Sequence, residues 1–126
     1  MQVFLSYKWE DRAYVNELDG LLNNPTNQYR HDTSKEKKDL RSKGEKKWRS
    51  YIREIIRGCD ALICLVGNNT HNAPGVAYEI NVAISFNLKI VPVRIPDTNG
   101  GLPAKIKNLE LINWNAQEIN NELSRG

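Results

Sequence analysis

At 126 residues with 40% hydrophobic content, the chain suffices for one domain with one core and leaves no room for a second folded unit. Met1-Gln2-Val3-Phe4-Leu5 lacks the basic and apolar regions of a secretory signal, and no apolar run approaches the roughly 20 residues that span a bilayer, so a cytoplasmic protein with no membrane partner is expected. The net charge of +3 hides an asymmetry: Lys35 to Arg49 holds eight Lys or Arg against Glu36, Asp39 and Glu45, with Trp48 its single aromatic and no nucleic-acid motif, and reads as a solvated face with no nucleic acid partner.

Val3, Phe4 and Leu5 make residues 2 to 6 a first strand too apolar for an exposed position and suited to a sheet covered on both faces. Glu10 and Asp11 favour a helix start, and Tyr14, Val15, Leu18, Leu21 and Leu22 recur at helical spacing until Asn23-Asn24-Pro25 stops the pattern. Gln28 to Asp32 has the low apolar content of an edge strand and runs into the polar stretch Thr33 to Gly44, which reads as a loop. From Glu45 to Arg57, Trp48, Tyr51, Ile52, Ile55 and Ile56 form an apolar stripe opposite a charged face, the pattern of a helix packed on a sheet. A third strand is expected at Asp60 to Val66, a helix from about Pro74 to Asn87, and a fourth strand at Lys89 to Val93. The turn-rich Ile95 to Gly101, a last strand near Leu109 to Trp114 and a helix from Ala116 to Leu123 complete the chain. Cys59 and Cys64 stand at a spacing that fits neither a metal site nor a redox pair, and read as reduced core side chains.

Strands alternating with helices imply right-handed βαβ units, hence a flavodoxin-like α/β three-layer sandwich on a five-stranded parallel sheet of order 2-1-3-4-5. In that arrangement the ligand crevice opens where strands one and three diverge, so Ser6-Tyr7-Lys8-Trp9 and Gly67-Asn68-Asn69-Thr70-His71 converge there. Glu79 arrives from the next helix. At about 100° per residue it lies roughly 60° from Val76 and 40° from Ala83, at the margin of the apolar face. A carboxylate in that position suits holding a vicinal diol or steadying a developing positive charge; it equally suits a surface or helix-capping role.

Ser6 ends a buried strand with a small hydroxyl, while Tyr7, Lys8 and Trp9 offer a stacking surface and a cation to a nucleotide, or serve local packing. His71 is a candidate acid, base or donor; with His31 far off and no Cys, Asp or Glu at ligand spacing, no metal site is expected. A Gly-rich phosphate loop, a Gly-x-Ser-x-Gly elbow and a Gly-x-Gly-x-x-Gly turn are all missing, which removes support for triphosphatase, esterase and dehydrogenase readings.

Val3-Phe4-Leu5-Ser6-Tyr7-Lys8, then Leu65-Val66-Gly67-Asn68-Asn69-Thr70, then Val76-Ala77-Tyr78-Glu79-Ile80 form a combination that resembles the Toll/interleukin-1 receptor (TIR) fold. More narrowly, it is similar to the prokaryotic TIR-like branch of the Thoeris anti-phage system, over nearly the whole chain. The resemblance implies one TIR-like domain over residues 1–126, with NAD as substrate and no cofactor. It implies Glu79 as the catalytic carboxylate at the ribose. Phe4, Ser6 and Lys8 would form the mouth of the nucleotide site, Trp9 would stack on a base or nicotinamide, and Asn69 and His71 would line the opposite wall. The implied reaction is hydrolysis to ADP-ribose, or cyclisation if an adenine nitrogen or ribose hydroxyl captures the sugar cation. Homo-oligomeric assembly and an effector protein that senses the product are the implied partners. Many family members carry a Trp four residues before the Glu, where this chain has Gly75; Trp9 is the candidate replacement. Two other readings stay open: a noncatalytic interaction and signalling module, and a nucleoside deoxyribosyltransferase-like enzyme, which also sets a Glu against a ribose.

Overall fold

The structure, a computed structural model, describes residues 1–22, 32–35 and 44–125. The expected helix stop at Asn23 to Pro25, His31, and the parts of the edge strand and polar loop at 28–31 and 36–43 lie outside the described residues.

Among the described residues, eight strands and α-helices alternate: β1 (Gln2–Ser6), α1 (Ala13–Leu22), β2 (Asp32–Lys35), α2 (Glu45–Arg57), β3 (Ala61–Val66), α3 (Pro74–Ser85), β4 (Lys89–Arg94) and α4 (Ala116–Ser124). All strand pairings are parallel, in the order β2-β1-β3-β4. β2 lies later than expected, so Thr33 belongs to a strand and not to the loop.

Alternation along the strands divides the core in two. Val3, Leu5, Ile63, Leu65, Val91 and Val93 pack with Val15, Leu18 and Leu22 of α1 and with Ile119 and Leu123 of α4. Phe4, Leu62, Cys64 and Val66 point the other way, against Trp48, Ile52 and Ile56 of α2 and Val76, Ile80 and Ala83 of α3. This double coverage explains why β1 and β3 read as continuous apolar runs. Asp60 sits at the opposite end of the sheet from the crevice, where it accepts a hydrogen bond from the Gln2 amide at 2.8 Å.

The expected fifth strand is a correction. Four strands are described, and Leu109 to Trp114 contributes only one parallel bridge, Val93 to Ile112. Ile112 donates to the Pro92 carbonyl and accepts from the Arg94 amide, each at 2.8 Å, so the even-numbered residues of β4 face this outer edge. Pro92 therefore turns its ring nitrogen toward that edge. The rung before Ile112 has no donor, and the ladder cannot extend. The order is 2-1-3-4, with Ile112 marking the fifth place. Among the described residues, no helix is long and apolar enough to cross a membrane.

Candidate functional site

The carboxyl ends of β1 and β3 each give way to a short 3-10 turn, Trp9–Asp11 and Thr70–Asn72. Thr70 fixes the second: its hydroxyl accepts from the Gly67 amide at 2.8 Å and donates to the Leu65 carbonyl at 3.2 Å. Pro74 at the first position of α3 then starts the helix that carries Glu79.

Glu79 has no exposed surface. The Ser6 hydroxyl donates to its Oε1 at 2.6 Å, so α3 is pinned to the last residue of β1. Ser6 is the register partner of Cys64, whose thiol is pushed up first by burial and then by the nearby Glu79 charge. This burial corrects the expectation of a carboxylate at the margin of the apolar face. α3 packs on the sheet and alongside α2, where Tyr78 lies 5.6 Å from Trp48 and donates to the Arg49 carbonyl at 3.0 Å, so the flank of its inner face is covered. Burying a polar group is tolerable only when it is hydrogen-bonded. Ser6→Ala is accordingly expected to lower stability by about 2 kcal/mol, measured by denaturant unfolding, because it strips the Oε1 bond while leaving the acceptor buried.

The other sequence-derived candidates divide by exposure. Phe4 is wholly buried in the α2 and α3 side of the core, one inward position before Ser6. Lys8 is half-buried and pairs with Glu10, Nζ to Oε1, at 2.6 Å. Trp9 is 40% exposed, with the Arg12 guanidinium 4.8 Å from its ring centroid. Asn69 is exposed and reaches Glu10 Oε2 from the β3 side at 3.5 Å. His71 is exposed on the Thr70–Asn72 turn, and no described contact joins it to Glu79. The structure thus joins Ser6 with Glu79 below, and Lys8 with Asn69 through Glu10 above. Among the described residues, no group of three or more His, Cys, Asp or Glu is placed to hold a metal ion.

Asp11 is a crevice residue that the sequence reading passed over as a helix-start acid. Its side chain is 9% exposed and its Oδ2 accepts no hydrogen bond. A Cβ on Gly67 would stand 2.6 Å from that oxygen, so the carboxyl of the β1 turn rests directly on the backbone of the β3 turn. Burial first, and then the charge of Glu10, push its pKa upward. The signal available in the sequence was Gly67 itself, a residue without a side chain at a strand end.

The loop after β4 closes the third side. Arg94 donates to Thr98 Oγ1 at 3.2 Å and to the Gly100 carbonyl at 2.7 Å, and the Asn99 amide donates to Asn68 Oδ1 at 3.0 Å. Gly100 lies flat on the Gly67 and Asn68 peptides, where any Cβ would collide with their carbonyl oxygens.

A family model described as Thoeris protein ThsB, TIR-like domain, matches residues 4–100. No curated protein matches the chain in sequence. Among solved structures, the TIR domain of the Toll-related receptor TRR-2 from Hydra magnipapillata is similar with a TM-score of 0.65 and 15% identity, over 94% of this chain and 88% of that one. The CMP N-glycosidase BcmB of Clostridium botulinum is similar with a TM-score of 0.60 and 19% identity, over 98% and 97%. A prokaryotic SEFIR domain is similar with a TM-score of 0.51 and 17% identity, over 96% and 86%. At these identities the likeness is one of fold.

Proposed function

Because the chain belongs to the Thoeris ThsB TIR-like domain family, we propose that it is an NAD-consuming enzyme, a glycohydrolase or ADP-ribose cyclase whose product serves as a nucleotide signal in prokaryotic anti-phage defence. The observation that carries this reading is the Ser6 to Glu79 hydrogen bond, which fixes a fully buried carboxylate at the carboxyl end of β1. That is where parallel α/β sheets receive ligands.

In the proposed reaction the bond between the ribose C1′ and the nicotinamide nitrogen breaks. The electron pair leaves with nicotinamide, which departs neutral, and the ribose becomes an oxocarbenium-like cation. Glu79 holds the ribose hydroxyls and offsets the positive charge as it develops, an interaction stronger in the transition state than in the ground state. Water then adds at C1′ and gives up a proton to yield ADP-ribose; capture by an adenine nitrogen or a ribose hydroxyl yields a cyclic product instead. Phe4, Ser6, Lys8, Trp9, Asn69 and His71 form the proposed surroundings of the nucleotide.

A carboxylate without exposed surface meets a substrate only after the strand-end turns part. The proposal therefore includes an opening step, driven by self-assembly or a partner, and a downstream effector that binds the product. The same burial also favours a second reading, in which Ser6 and Glu79 form a structural pair inside a noncatalytic assembly module. The structurally similar CMP N-glycosidase supplies a third reading, with CMP in place of NAD, since CMP also joins a base to ribose through nitrogen.

One experiment separates the three. Concentrated protein, with and without a crowding agent, is incubated with NAD or with CMP, and free base is followed by chromatography. Nicotinamide from NAD without cytosine from CMP is the expected result. Cytosine release moves the substrate to nucleoside monophosphates, and concentration-dependent assembly with neither base released moves the protein to the interaction module.

A further inference from the structure

Lys8 follows β1 and Asn69 follows β3, yet both direct a donor at one carboxylate. Lys8 Nζ stands 2.6 Å from Glu10 Oε1, and Asn69 Nδ2 stands 3.5 Å from Glu10 Oε2. Each oxygen of the anion has one donor, supplied from a different side of the crevice mouth. We infer that Lys8 and Asn69 form a subsite for a phosphate group of a nucleoside diphosphate, and that Glu10 occupies it as an internal stand-in until the ligand displaces it. This rests on the reading of the crevice as a nucleotide site.

Four features support displacement over a purely structural tie. The side chains of Lys8 and Glu10 are 37% and 46% exposed, so the pair is hydrated and contributes little to folding. Glu10 is kept anionic there, its acidity strengthened first by the Lys8 bond, and an ionised carboxylate presents the charge and the paired acceptor oxygens that a phosphate would present. Its position also carries a penalty, because its charge works against the ionisation of the buried Asp11 beside it. Arg12, stacked on Trp9, places a further cation next to the mouth, where an incoming dianion would meet it.

The inference predicts a sign opposite to that of ordinary site damage: removing the Glu10 charge improves ligand binding. ADP is the probe, with adenosine as the control that lacks phosphate, and affinities are measured by calorimetry for wild type, Glu10→Gln and Lys8→Ala. Glu10→Gln is expected to bind ADP roughly fivefold more tightly than wild type, and Lys8→Ala roughly fivefold more weakly, the span of an exposed ion pair. Adenosine affinity is expected to be the same in all three. Thermal melts check that each exposed substitution leaves the fold intact.

Equal or weaker ADP binding by Glu10→Gln overturns the inference and makes Glu10 a tie between the two turns. The same gain for adenosine, or no ADP binding by either protein, overturns it as well. Nicotinamide release from NAD is recorded on the same samples. The ADP ordering without turnover leaves the subsite standing and removes the proposed reaction, whereas turnover without the ADP ordering does the reverse.

Discussion

Glu79→Gln is expected to fold, to unfold within about 1 to 2 kcal/mol of wild type, and to lose nicotinamide release by roughly a hundredfold to a thousandfold. The amide matches the carboxylate in shape, and its carbonyl oxygen can still accept the Ser6 hydroxyl that now lies 2.6 Å from Oε1. What it lacks is the negative charge that would offset an oxocarbenium-like ribose. The site is enclosed by Ser6, Cys64 and the inner face of α3, a surrounding of low polarity in which a single charge acts strongly. Chromatography of nicotinamide, alongside denaturant unfolding of the same preparation, separates lost chemistry from lost structure. A folded Gln variant that retains wild-type release would remove Glu79 from the reaction.

Gly100→Ala is expected to be the most damaging change among the surface loops, costing about 3 kcal/mol of stability and about a hundredfold in activity. Its added methyl group would land on the Gly67 and Asn68 carbonyl oxygens, which are backbone atoms and cannot swing aside. The loop after β4 would have to lift from the loop after β3, breaking the Asn99 to Asn68 bond and straining the Arg94 contacts with Thr98 and Gly100. Those contacts set the position of Gly67 under Asp11, and hence the spacing of the two turns that border the crevice. A melt and an NAD turnover assay read both effects. By contrast, a Cβ at Gly101 meets nothing within 4 Å, so Gly101→Ala is the matched control and is expected to be nearly silent.

Much of the fold was legible because the local signals were strong and agreed. β1 and β3 announced a doubly covered sheet through unbroken apolar runs, and Trp48, Ile52 and Ile56 marked the inner face of α2. Tyr51, counted in the same stripe, is 38% exposed, because the wide apolar arc reaches past the surface that the sheet covers. The fifth strand failed for a reason visible only once β4 is paired: which edge Pro92 faces depends on the register with β3, not on its own sequence. Glu79 stood out as a candidate carboxylate in the sequence, but its depth did not. Helical angles place a residue relative to its own helix, and say nothing of how closely that helix sits on the sheet or of α2 packing along its flank. Asp11 was missed because an acid near a helix start has an ordinary explanation, and its contact with Gly67 joins turns 56 residues apart, a separation read from the numbering of the chain.

The central claim is that the crevice at the ends of β1 and β3 cleaves NAD through Glu79. Its most direct test is the initial rate of nicotinamide release from NAD as protein concentration rises, with assembly followed by light scattering in the same samples. Release that climbs with assembly in wild type and is at least about a hundredfold slower in Glu79→Gln is the expected result. Assembly of folded wild-type protein with no nicotinamide released at any concentration would contradict the claim and leave the Ser6 to Glu79 pair as part of the core.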